Sequence, residues 1–251
     1  MFRLFILLAV FFLYIPAFFA KGHAYIEIST AASYATLSHS SPKITYVSGT
    51  LITDAYPLNH LSPTSPLIGL KGGYEFSGKE WNPAIMLGLG FYSTLTPYHF
   101  NGSLIETATG NNSNKLYTYR YHVASSRLIA EAQFTWMIKT WLPFVQLGVG
   151  PSWNSMRQYA EMAATSDGYV PLPPFQSSTM ARLAYQVGVG IGKSFNFSSQ
   201  NTDFQNRISV GYRYANLGRT SFGTRGALYP YSLNTGTLAT NDLFLSYAHL
   251  F

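Results

Sequence analysis

Glu75 and Glu131 invite a chemical reading first, because two carboxylates brought together can serve as general acid and general base. Each follows a cation by four residues, Lys71 and Arg127 respectively. In an extended chain residues four apart share a face, so the same spacing also describes an acid neutralised beside a base. His122 with Ser125 and Ser126 supplies the residue types of a hydroxyl nucleophile and its base. Alternation puts His122 and Ser126 on one face and Ser125 on the other, with no carboxylate to orient the imidazole. The segment from Gly188 to Ser194 ends like a phosphate-binding loop, but the glycine needed five residues before Gly192 is Val187, and no helix signal follows. His39, His60, His99 and His249 lack ligand spacing. The residues therefore assign no catalytic, cofactor or metal position, and no cofactor is expected.

The elements that must carry these side chains are strands. Period-two alternation marks eight of them, over 25–36, 65–76, 83–94, 116–137, 142–155, 179–195, 205–217 and 238–251. In the sixth, Leu183, Tyr185, Val187, Val189 and Ile191 form one face while Gly188, Gly190 and Gly192 lie on the other. An apolar face opposite a face crowded with glycine suits a wall between lipid and a confined lumen. The expected fold is all-β, a closed antiparallel transmembrane β-barrel of eight strands. Short connections at 77–82, 138–141 and 196–204 share one end with both termini, so that end is expected to be periplasmic. The long polar connections 37–64, 95–115, 156–178 and 218–237 are then extracellular loops.

Inward faces assigned on this pattern gather Glu27, Lys71, Glu75, Arg127, Glu131, Arg182, Arg207, Arg213 and Asp242 inside the barrel, with Gln133, Gln146 and Gln186. An unpaired charge in a narrow lumen carries a large desolvation penalty, so these groups are expected to neutralise one another in a network. An eight-stranded barrel is just wide enough for side chains to fill, and the lumen is expected to be plugged. Aromatic residues are expected to form two interfacial belts. One contains Phe76, Trp81, Trp136, Trp141, Phe195 and Phe204 near the short turns; the other contains Tyr92, Tyr98, Tyr117, Tyr119, Trp153 and Tyr214 near the long loops.

Composition agrees with a membrane wall. Only 10% of residues are charged and 16% are aromatic, whereas a soluble domain is about 25% charged. Cysteine is absent, so closure of the sheet must do what disulfides do elsewhere in exported chains. The net charge of +6 has no concentrated basic stripe, which speaks against a nucleic-acid partner. Arg3, the apolar run Leu4 to Phe19 and the exit through Lys21-Gly22-His23-Ala24 have signal-peptide form. Residues 1–24 are expected to be removed between Ala24 and Tyr25, leaving 25–251 as the barrel domain.

The last strand places Leu243, Leu245, Tyr247, His249 and Phe251 on one apolar, aromatic-rich face, and the seventh carries Gly211-Tyr212-Arg213-Tyr214. Together these strands resemble the small eight-stranded outer-membrane barrels of the opacity-protein and OmpA-type group. His249 departs from that group's terminal pattern. The resemblance implies a cell outer membrane location, contact with lipid and lipopolysaccharide, and an assembly signal of Leu243, Leu245, Tyr247 and Phe251 read by the outer-membrane barrel assembly machinery. The expected role is non-enzymatic: the barrel anchors, and the loops meet a host or environmental surface ligand. A narrow porin-like channel is the rival, and a lipid-modifying enzyme a more distant one.

Overall fold

Alternating side chains produce strands throughout the residues described by the computed structural model, which are 22–38, 41–48, 50–59, 63–78, 81–108, 114–163, 175–195, 205–224 and 231–251. In chain order they are β1 (His23–Leu37), β2 (Lys43–Ser48), β3 (Thr50–Ala55), β4 (Thr64–Gly78), β5 (Trp81–Thr94), β6 (Tyr98–Ala108) and β7 (Asn114–Thr135). There follow β8 (Trp141–Ala163), β9 (Phe175–Gln176), β10 (Ser178–Phe195), β11 (Gln205–Ser221), β12 (Gly223–Thr224) and β13 (Asn234–Leu250). Strands β1, β4, β5, β7, β8, β10, β11 and β13 each pair antiparallel with the next, and β13 returns to β1, closing a ring of eight. These are the eight strands legible in the sequence. Closure satisfies the wall's backbone groups internally, as hydrocarbon requires.

The outward face is apolar. Ile28, Leu70, Leu147, Val189, Val210 and Leu245 are exposed on it, while their immediate neighbours in the chain turn toward the lumen. A closed even-stranded barrel with an apolar outer band and a polar interior is the outer-membrane solution to spanning a bilayer, and this chain is an integral outer-membrane β-barrel. Leu243, Leu245, Tyr247 and Phe251 lie on that outward face. His249 is half-buried beside them, its Nδ1 2.9 Å from Asn206 Oδ1.

The long connections are more ordered than their composition suggests. Segments 37–64 and 95–115, expected as loops, carry β2, β3 and β6, which pair into a sheet that continues outward from β7. Strand β7 makes this possible by changing partner: Ser126–Thr135 pairs with β5, and Asn114–Val123 with β6. At 22 and 23 residues, β7 and β8 far exceed the roughly 9–11 residues that cross hydrocarbon. The surplus stands beyond the membrane.

Under this projecting sheet lies an aromatic lid. Tyr56, Tyr119, Tyr121, Tyr159, Phe175 and Phe222 pack edge to face and in stacks, with ring centroids 5.7 Å apart for Tyr56–Tyr119, 4.9 Å for Tyr159–Phe175 and 5.3 Å for Tyr121–Phe222. The expected outer belt is corrected accordingly: Tyr92, Tyr98 and Tyr119 are buried inside, whereas Trp153 faces outward. Phe76 is also buried, while Trp136 and Trp141 are exposed near the short turn. The expectations at Phe204 and the Trp81 side chain fall outside the described residues. So does most of the leader, and the expected cleavage point falls inside β1, where Ala24 exchanges backbone hydrogen bonds with Phe251 at 3.0 and 2.9 Å.

Candidate functional site: the lumen

The wall's registers set the lumen's chemistry. Arg213 of β11 is opposite Asp242 of β13, and Glu27 of β1 is opposite Lys71 of β4, so two ion pairs are built from cross-strand neighbours. The Asp242 carboxylate is completely buried and accepts from Arg127 at 2.6 Å, Arg213 at 3.1 Å and the Ser33 hydroxyl at 2.6 Å. The Ser33 hydroxyl also meets Tyr98 at 2.6 Å, and Tyr98 belongs to the same buried cluster as the rings of the lid. Arg127 donates further to Thr240 at 3.3 Å.

Tyr92 is the middle of the plug. The Arg213 guanidinium lies 4.1 Å and that of Arg127 5.1 Å from its ring centre, and its hydroxyl donates to Glu131 at 2.5 Å. Gln186 donates to the same carboxylate at 2.7 Å. Lys71 stands between Glu27 at 3.0 Å and Glu131 at 3.6 Å and donates to Gln133 at 3.3 Å. Near the short-turn end, Arg207 pairs with Glu75 at 2.9 Å and approaches Met86 Sδ at 3.1 Å. The ring of Tyr92 fits because Gly69 and Gly90 are both small: a Cβ on Gly69 would run into the ring, and one on Gly90 would stand 2.8 Å from it and 2.9 Å from Glu131 Oε1.

Eight of the nine charged residues assigned to the lumen thus meet in ion pairs: Glu27, Lys71, Glu75, Arg127, Glu131, Arg207, Arg213 and Asp242. They comprise four acids and four bases, so the set is neutral. Arg182 stands apart, exposed, and joins no ion pair among the described residues. The β10–β11 ladder ends at Tyr185–Asn216, and beyond it β11 shifts register against β13 at Gly218, which packs close to the Arg182 Cβ, so the alternation of the wall no longer sets the direction of the Arg182 side chain, and it lies exposed. Sequence reading missed Tyr92, Ser33, Tyr98 and Thr240 as members. A signal for Tyr92 existed, since it alternates with Gly88 and Gly90 on the inward side of its strand.

The catalytic candidates are not assembled. Glu75 and Glu131 are each held by cations, Ser125 turns inward to Asn154 at 2.8 Å, and Ser126 turns outward to Ser93 at 2.9 Å. His122 stacks on His99 with ring centres 4.2 Å apart. The Gly188–Ser194 segment is wall strand. Among the described residues no cluster of three or more potential metal ligands occurs.

No family model and no curated protein matches the sequence. Among solved structures the chain is similar to Neisserial surface protein A, at 10% identity and TM-score 0.44 over 91% of this chain and 97% of that one. It is also similar to the attachment invasion locus protein Ail of Yersinia pestis, at 13% identity and TM-score 0.36 over 92% and 99%. The outer membrane protease OmpT of Escherichia coli matches at 11% identity and TM-score 0.41 over 91% and 95%.

Proposed function

We propose that the protein is a non-enzymatic surface-interaction barrel, in which a sealed wall anchors the projecting sheet of β2, β3, β6, β7 and β8 outside the cell. The observation that carries the reading is the pairing of a filled lumen with an ordered exterior. The interior is packed with mutually neutralising side chains under an aromatic lid, while the hairpin β2–β3 extends the sheet away from the wall. Strand β2 is the last in that sheet, so its outer backbone edge is offered to an extended segment of a partner. The partner class is a host or environmental surface ligand; lipid and lipopolysaccharide surround the wall, and the assembly machinery reads Leu243, Leu245, Tyr247 and Phe251.

A narrow channel is the second reading. Its support is the set of buried lumen atoms without a hydrogen-bond partner, including Gln146 Nε2, Gln186 Oε1 and Arg207 Nε, which are places for water. The test of the first reading compares cells displaying the full chain with cells displaying a version in which residues 43–55 are replaced by a short Gly-Ser turn. Loss of adhesion to a matrix-protein and glycan array, at equal surface level, is the expected result. Equal adhesion by both, or by neither above empty cells, counts against it.

A further inference from the structure

We propose that the outward face of β6, β7 and β8, just beyond the lipid-facing band, binds the phosphate of a lipid headgroup in the surrounding leaflet. The proposal rests on the long-loop end lying outside the cell. A recess of about 610 Å³ there is lined by His99 and Asn101 of β6, Arg120 and His122 of β7, and Gln158 of β8. Alternation explains its polar character, since Tyr98, Phe100, Tyr119 and Tyr121 turn inward to the lid and the residues between them turn out.

A bulge puts two successive side chains of β8 on the outer face. Arg120 pairs with Ala160 and His122 with Arg157, so β8 carries one residue more than β7 across this stretch. Gln158 takes the left-handed conformation, φ 54°, which is uncommon for a residue with a side chain. Tyr159 thereby returns to the lid, while Arg157 and Gln158 both emerge on the outer face. Gln158 hydrogen-bonds His122, whose ring stacks on His99.

The charge of the recess selects the ligand. No carboxylate lines it, and neither Arg120 nor Arg157 has an ion pair among the described residues. Two histidines could suggest a divalent cation, but two guanidiniums beside them oppose one. Desolvation, with His99 and then Arg120 as like-charged neighbours, holds the His122 imidazole below its ordinary range; an anion relieves that accumulation of positive charge. Guanidinium groups match phosphate oxygens in geometry as well as charge.

Position selects the source. Trp153, exposed on the outer face of β8, marks the water boundary. Arg157 follows it by four residues, about 13 Å of strand. At a strand tilt of about 35–45° that is about 10 Å of height, so the recess opens just outside the apolar band, within reach of the phosphates of large headgroups, and continues the wall that lipid already covers, which favours a membrane lipid over a dissolved anion.

The test is native mass spectrometry of the intact folded chain in detergent, with bis-phosphorylated lipid A, its dephosphorylated form and inorganic phosphate as separate probes. The wild type should bind the bis-phosphorylated lipid at least about tenfold more tightly than the dephosphorylated one, and Arg120→Gln/Arg157→Gln should lose that margin. Heat-shifted gel mobility reports whether the double variant folds, and Arg120→Gln alone replaces it if it does not, with a reduced margin expected. Equal binding of the two lipids by the wild type, a margin unchanged in the variants, or displacement of the lipid by equimolar inorganic phosphate overturns the proposal. Failure of outside labelling at Thr45→Cys would instead strike the orientation and the surface-interaction reading.

Discussion

The Glu75–Arg207 pair offers a clean perturbation, because each is the other's only ion-pair partner among the described residues. Both side chains are almost fully buried, at 4% and 6% exposure. Replacing Arg207 by Met leaves a buried carboxylate with no countercharge; replacing Glu75 by Leu leaves a buried guanidinium. Breaking a buried pair from one side costs about 3–5 kcal/mol, whereas exchanging both partners for apolar residues of similar volume is often neutral or stabilising. Lys71 is the nearest cation on the same strand face, but Glu27 and Glu131 already hold it, so rescue from that side is small. Arg207 also loses its approach to Met86 Sδ, a minor contribution. Each single variant should therefore lose about 3 kcal/mol, and the double variant should fall within about 1 kcal/mol of wild type. Urea unfolding in lipid, followed by tryptophan fluorescence and heat-shifted mobility, measures all four corners of the cycle. Additive losses, with the double variant as weak as the two singles summed, would refute the claim that these residues stabilise the fold chiefly through each other.

Other consequences follow from the same geometry. Gly90→Val should unfold at lower urea than Leu89→Val by at least about 1–3 kcal/mol, since the added atoms meet Tyr92 and Glu131 inside while the second change faces lipid. Because the chain contains no cysteine, introduced thiols report topology directly: Thr45→Cys should react with an impermeant maleimide on intact cells, and Lys139→Cys only after the outer membrane is breached. Deleting Phe251 should lower the heat-shifted, folded fraction in outer-membrane preparations at matched expression, because it removes both a lipid-facing aromatic and the backbone partner of Ala24. Glu161, in the part of β8 beyond the membrane, has its carboxyl raised chiefly by burial and also by repulsion from Asp54, against a hydrogen bond from Tyr159 at 2.6 Å. A carboxyl raised in the fold contributes stability below its unfolded value, about 4.3, and that contribution is lost as pH rises through the folded value. Hydrogen exchange in β3 and the outer part of β8, corrected for intrinsic rates, should therefore slow below about pH 4, and Glu161→Gln should keep it slow at neutral pH.

The wall was legible because one physical rule, period-two burial, repeats along it. Lys71 with Glu75 and Arg127 with Glu131 share faces at any register, and the apolar residues opposite them, such as Leu70 and Leu128, turn that shared face inward. Their partners do not: Arg127 reaching Asp242 depends on curvature across the lumen, which no local pattern encodes. Tyr92 reads as a membrane-belt residue because tyrosine is common there, although its alternation with Gly88 and Gly90 points inward. Arg182 obeyed the alternation and still left the lumen, since the ladder beside it ends at Tyr185 and Gly218 breaks the register. The projecting strands β2, β3 and β6 are not legible, because β2–β3 and β6–β7 are hairpins in polar segments that leave little hydrophobic period to read, and the β3–β6 pairing that joins them spans about fifty residues that no local pattern links.

Conductance across a planar bilayer tests the sealed barrel most directly. Wild-type protein inserted at verified density should carry no sustained current above the empty bilayer. A variant with Tyr92, Arg127 and Arg213 all truncated to alanine, provided its folded mobility is intact, should conduct, because it removes the side chains that fill the middle of the lumen. Sustained ion current through the wild type, at a level unaffected by that truncation, would contradict the account.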